Sequence, residues 1–297
     1  MKRSTKTQII CASVLAVVSV AAMYFFSRNI KFGVGGIELP KDTEIQYISV
    51  DSSKDTTPAD TGTETVETTP PEDSPEAKWV LKETDYAPSD YIEKTVFLGD
   101  RTIGKMNEKF IPEIPHLAQQ VWSCAENISI THAGSTDSFL YPKKNQYMSF
   151  VSALKDRKPQ YLILTFGSYC EEDISQEQFE GAYSVFIRDI KDVSANTKVI
   201  VQSILPVGRN CSIVTADAIK ERNAWLLDVC ETNSVYYLDT WSELIDADGY
   251  LSTQYYDPDN MLEEYDGYFM NDIGYRKMVQ YIRTHAHPAY APGEESE

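Results

Sequence analysis

Positive charge is scarce in this chain. Its 297 residues carry 27 Lys and Arg against 45 Asp and Glu, a formal charge of −18. Binding a phosphate backbone needs clustered Lys and Arg, so nucleic acid is not expected as a partner. Long uncharged runs are nearly missing too, and residues 9–26 form the main one. From 51 to 76 large apolar residues are almost absent, while eight acids stand against one lysine, Lys54. Such a stretch cannot bury enough surface to offset its ordering entropy, which predicts an extended, disordered linker. Cysteine is limited to five residues: Cys11 in the uncharged run, then Cys124, Cys170, Cys211 and Cys230. No cofactor is expected.

Lys2, Arg3 and Lys6 precede the 9–26 run, whose length is near the lower limit for a spanning helix. Its bulky end, Ala21-Ala22-Met23-Tyr24-Phe25-Phe26, lacks the small residues a cleavage site prefers, which predicts an uncleaved signal anchor held in a cell membrane. Basic residues before the run, with Arg28 and Lys31 after it, keep residues 1–8 in the cytoplasm as a basic tail and the rest outside. Residues 27–78 then form a juxtamembrane segment and linker, 79–288 a globular domain, and 289–297 a disordered tail. A domain of about 210 residues is ample for a sizeable core.

Within that domain short apolar runs alternate with longer amphipathic ones, which predicts an α/β fold with a parallel sheet between helices. Strands are expected at 96–98, 128–131, 161–166, 198–203 and 235–238, and helices at 146–156, 176–193, 215–232 and 272–284. Phe179, Tyr183, Phe186 and Ile190 recur at helical spacing and should pack on the sheet. In a doubly wound sheet ligands bind at the carboxyl ends of strands, and Asp100, Gly134, Ser168 and Pro206 fall there. Cys170 and Cys211 follow neighbouring strands at one sheet edge and are the first candidates for a disulfide, with free thiols the alternative.

The stretch Thr95-Val96-Phe97-Leu98-Gly99-Asp100-Arg101-Thr102 reads as a buried strand ending in a tight turn before a helix. It resembles the first block of SGNH/GDSL hydrolases, whose bacterial branch reads F-I-G-D-S-R-T with a nucleophilic serine. Either Arg101 stands in the serine's place or the serine has been deleted; the retained Arg-Thr favours deletion. The family's last block, D-G-x-H-L-N followed by G-Y, matches Asp266-Gly267-Tyr268-Phe269-Met270-Asn271 and Gly274-Tyr275, with Phe269 where the catalytic histidine would be. The third block's G-x-N is matched by Gly167-Ser168-Tyr169, without the oxyanion-hole asparagine, and Gly134 fits the second block's glycine. The resemblance spans about Asp90 to His285. It implies a flavodoxin-like three-layer α/β/α fold with a five-stranded parallel sheet, and descent from serine ester hydrolases acting on acylated lipids and glycans.

A serine hydrolase needs a nucleophile, a base within reach and oxyanion donors. Here Asp100, Gly134 and Asp266 remain, while serine, histidine and asparagine are lost. The reading is a catalytically degenerate protein of a bacterial envelope, binding a surface polysaccharide or an envelope protein. The alternative is an active esterase with a displaced nucleophile: Thr102 paired with His132 and Asp266 or Asp100, or Ser168 beside Cys170. A third is a purely structural role, with the crevice filled by Arg101, Tyr268 and Phe269. His285 and His287 close the last helix and are read as structural.

Arg101 would pair with a nearby acid or, in the serine's place, bind a carboxylate or phosphate bidentately. Aromatics with polar tips crowd the last third, among them Trp241, Tyr250, Tyr255, Tyr256, Tyr265 and Tyr268. Such rings suit packing or a sugar-binding face, with Arg101, Tyr169, Tyr265 and Tyr268 as candidate contacts. Asp246-Ala247-Asp248-Gly249 resembles the start of a calcium loop but lacks the later ligands, so a turn is expected and no metal site.

Overall fold

A computed structural model describes residues 78–124, 127–135, 139–171, 173–260 and 266–291. The expected tail, anchor and linker of 1–77 and the candidate contact Tyr265 lie outside the described residues. Among the described residues no helix is long and apolar enough to cross a membrane.

In chain order the elements are α1 (Ser89–Glu93), β1 (Thr95–Gly99), α2 (Arg101–Gly104), α3 (Leu117–Gln120), β2 (Val121–Trp122) and α4 (Ile130–Ala133). A hairpin, β3 (Phe139–Tyr141) and β4 (Gln146–Met148), leads to α5 (Phe150–Arg157). Then follow β5 (Tyr161–Thr165), α6 (Gln176–Val193), β6 (Lys198–Gln202), α7 (Ala216–Asn233), β7 (Tyr236–Leu238) and α8 (Asp272–Thr284). The five-stranded sheet has the order β2-β1-β5-β6-β7, all parallel, which is the flavodoxin-like doubly wound order.

The central strands are buried on both faces, so their side chains divide between two cores. Val96, Leu98, Leu162, Leu164, Val199 and Val201 join Phe150, Phe179, Tyr183, Phe186 and Leu226 from α5, α6 and α7. Phe97, Tyr161, Ile163 and Ile200 join Tyr91, Ile103, Tyr275, Met278 and Ile282 from α1, α2 and α8. Strand periodicity thus builds the three layers, and each fully buried large side chain contributes about 1.5–3 kcal/mol. α6 spans the expected residues and opens with a capping box, Ser175 with Gln178.

Two expected elements differ. Residues 128–131 are not a strand: Ser129 caps α4 through its hydroxyl, which accepts from the Thr131 N–H at 3.4 Å. The second strand is instead the two-residue β2, too short to show a pattern. The helix expected from 146 starts at Phe150, because 146–148 pair with 139–141 and Ser149 caps the helix. Asn145, at φ 48°, makes the hairpin turn. The Asp246–Gly249 segment is a turn, with Asp246 Oδ1 accepting from the N–H groups of Asp248 and Tyr250 and Gly249 at φ +84°.

Past α8 the chain packs back onto the core. Tyr290, assigned to a disordered tail from sequence, lies 4.9 Å from the Tyr91 ring, and His287 lies 5.0 Å from Tyr236. Burial, reinforced by the charge of Lys198, lowers the His287 pKa to about 4. A histidine depressed in the fold stabilises it above its unfolded value, near 6.5, and that contribution is lost as pH falls toward 4. Wild-type stability should therefore drop by about 1–2 kcal/mol more than that of His287→Phe between pH 7 and pH 4, a figure reduced for partial exposure. Urea unfolding of both proteins across that range measures it; parallel curves would refute the assignment.

Candidate functional site

The carboxyl ends of β1 and β5 meet around Asp100. This residue caps α2, and its side chain is 1% exposed. Oδ1 accepts from the Thr102 N–H at 3.0 Å and the Thr102 hydroxyl at 2.6 Å. Oδ2 accepts from the N–H groups of Gly167 at 3.2 Å and Ser168 at 3.1 Å, and from the Ser168 hydroxyl at 2.6 Å. Burial pushes the Asp100 carboxyl upward, and the bonds from Ser168 and Thr102 oppose this without cancelling it.

The loop after β5 is fixed from both sides. Gly167 adopts φ +126°, and its carbonyl accepts from the Arg222 guanidinium at 2.9 Å. Because the Ser168 proton goes to Asp100, the Tyr268 hydroxyl donates to Ser168 Oγ at 2.9 Å. Tyr268 is 2% exposed and stacks edge-on against Phe269, 4.9 Å away. Arg101 and Lys105 each sit 5.4 Å from the Phe269 ring centre, within cation–π range. Beneath them Tyr275 donates its hydroxyl to the Thr102 carbonyl at 2.5 Å. The crevice is therefore packed with a hydrogen-bonded polar network under an aromatic cover.

No family model matches the chain, and no curated protein matches it. Among solved structures it is similar to a G-D-S-L family protein from Desulfitobacterium hafniense, at 18% identity over 65% of this chain and 98% of that one, with a TM-score of 0.46. A Streptococcus pneumoniae protein named for platelet activating factor shares 14% identity over 70% of this chain and 94% of its own, with a TM-score of 0.43. The C-terminal domain of Drosophila Oskar shares 16% identity over 71% and 94%, with a TM-score of 0.41. These likenesses are remote, and nothing about the site follows from them.

Of the residues singled out from sequence, Asp100, Arg101, Thr102, Ser168, Tyr268 and Phe269 do come together. Gly134 does not: it follows α4 and faces Phe186 and Asp189 of α6, so it offers no oxyanion donor beside Asp100. At the end of β2 stands Ser123, whose hydroxyl donates to the Asp100 carbonyl at 3.1 Å. Asp266 accepts from Asn210 at 3.2 Å and has no bond to Asp100, Thr102 or Ser168 among those described. Tyr268 is buried, so it supports Ser168 rather than offering a surface contact, whereas Tyr169 is 41% exposed.

Cys170 and Cys211 are thiols, not a disulfide. The Cys170 thiol faces the Gly167 carbonyl at 3.7 Å, and burial raises its pKa to about 11. Cys211 sits in the loop after β6, in the turn closed by its N–H bond to the Gly208 carbonyl. Adjacent strands do not bring the two loops' side chains together.

A second cluster went unnoticed in the sequence. Ser129 and Thr131 donate their hydroxyls to Glu171 Oε2 and Oε1 at 2.8 and 2.6 Å. His132 Nδ1 lies 2.9 Å from the Thr131 hydroxyl and 3.4 Å from Glu171 Oε1. The separation of 40 residues between Thr131 and Glu171 hides this cluster in the sequence. In a triad the acid orients one ring nitrogen while the other meets the nucleophile. Here hydroxyl and carboxylate meet the same nitrogen, so the cluster is not a proton relay. His132 is thereby engaged with Thr131 and Glu171, and the alternative Thr102–His132 pair is not among the described hydrogen bonds.

Proposed function

We propose that this is an SGNH/GDSL-hydrolase-like domain that has lost hydrolysis and serves as a binding module for a cell-envelope glycan. One observation carries the loss of chemistry. Both hydroxyls at the motif aspartate, Thr102 and Ser168, are 1% exposed and donate to its carboxylate, with Phe269 in the place of the base. A nucleophile so placed meets no substrate, and no imidazole is there to take its proton. The motif blocks and the flavodoxin-like strand order support the ancestry. The exposed Tyr169 ring beside polar groups supports a saccharide surface. In this reading residues 9–26 anchor the chain in the membrane, and the acidic linker lifts the domain into the envelope.

Purified full-length chain should hydrolyse a short-chain acyl ester no faster than buffer, with an active serine esterase run alongside as the control. Turnover that disappears in Thr102→Ala or Ser168→Ala would sink the pseudoenzyme reading and identify a displaced nucleophile.

A further inference from the structure

Beside the closed crevice, on the other side of the β5 loop, lies a recess of about 220 Å³ lined by Asn127, Ser129, His132, Tyr169 and Glu171. Its walls are rich in acceptors. Ser129 and Thr131 each direct their one proton to Glu171, and each oxygen keeps one lone pair after accepting from the Thr131 N–H and from His132 respectively. His132 Nδ1 then donates to Thr131, and Nε2 keeps its lone pair. The carboxamide oxygen of Asn127 is buried without a hydrogen-bond partner among the described residues. Burial pushes the Glu171 carboxyl upward, but bonds from Thr131, its own backbone and Ser129 outweigh this and hold it below the usual range, hence charged. Each Glu171 oxygen receives one hydroxyl and has room for another donor.

A wall of acceptors around a carboxylate repels anions and satisfies a ligand that supplies N–H and O–H donors. The exposed Tyr169 ring offers a face for sugar C–H groups and for a cation. From these observations we infer that the recess binds a saccharide carrying a free amino group. The ammonium would meet Glu171, a neighbouring hydroxyl would meet Ser129, and the ring would rest on Tyr169. The inference rests on the glycan-binding reading and names its ligand class. The volume suits one sugar unit, so a longer chain would thread one residue at a time past the rim.

The test is calorimetric titration of the full-length chain with β-1,4-linked glucosamine tetramer, its N-acetylated counterpart, the glucose tetramer, and ethylamine. The glucosamine tetramer should bind at least tenfold tighter than the other three. Glu171→Gln and Tyr169→Ala should each weaken it tenfold or more, with melting temperatures confirming that both variants fold. Exposed Glu231, on α7, serves as control, and Glu231→Gln should leave binding unchanged. Equal binding by Glu171→Gln would mean diffuse attraction to an acidic chain and overturn the inference. Equal, Tyr169-dependent binding of all three tetramers would overturn the amine requirement while keeping the glycan reading. Ethylamine binding as tightly as the tetramer would remove the sugar from the recognition, and no binding by any probe would remove the site.

Discussion

Asp100→Ala should lower the unfolding free energy by about 3–4 kcal/mol, near the top of the usual range for one substitution. The carboxylate accepts from five donors, all on buried residues. Removing it strands those donors away from water, and each unsatisfied buried group costs about 1–3 kcal/mol, partly relieved by rearrangement. Asp100→Asn should be milder on one side only. Its amide oxygen can still serve the donors on one side, but its NH₂ would confront those on the other, two from Thr102 or three from Gly167 and Ser168. Urea unfolding with an unchanged m-value measures the difference. A loss under about 1 kcal/mol for the alanine variant would show that the network does not hold the crevice shut. Asp100 ties α2 to the β5 loop.

Gly167→Ala should lower stability by about 3 kcal/mol, or roughly 6–12 °C in melting temperature for a domain of this size. Two independent causes act at this residue. Its φ of +126° lies where side chains are strained, and an added Cβ would stand 2.5 Å from Ile204 Cδ1 and 3.3 Å from Phe179 Cε2. The same backbone unit donates to Asp100 and accepts from Arg222, so it cannot shift without loosening both. Gly181 supplies the control. It lies exposed inside α6, where an added Cβ meets nothing within 4 Å. Gly181→Ala should stabilise by about 0.5–1 kcal/mol, because alanine loses less backbone entropy in a helix. Thermal melts of the two variants should move in opposite directions, and a shared direction would refute the account.

Both results bear on function in the same way. The carboxyl end of the sheet is as firmly built as an active site, but its polar groups face one another. The hydroxyls of Thr102 and Ser168 brace α2 against the β5 loop through Asp100.

The sequence by itself determined the sheet and its covering helices. Runs such as 161–166 and 198–203 are too apolar and β-branched to sit anywhere but between two layers, and the Phe179–Ile190 stripe has one period and one use. It also marked Asp100 and Ser168, because a strand followed by a tight turn puts such residues at one edge of a parallel sheet, while Phe269 was marked only by the resemblance of its block to a known family. Local pattern failed where the decisive partner was remote or the element short. The two residues of β2 become a strand only by pairing with Phe97 and Leu98. Ser129 reads as part of an apolar run until its hydroxyl is seen to cap a helix and bond Glu171. Gly134 has the right neighbours in sequence but lies against α6, since the chain has already left the sheet after β2 and turned into α4. Whether a hydroxyl attacks a substrate or braces a loop depends on burial and on the direction of its proton, and only the tertiary structure decides those.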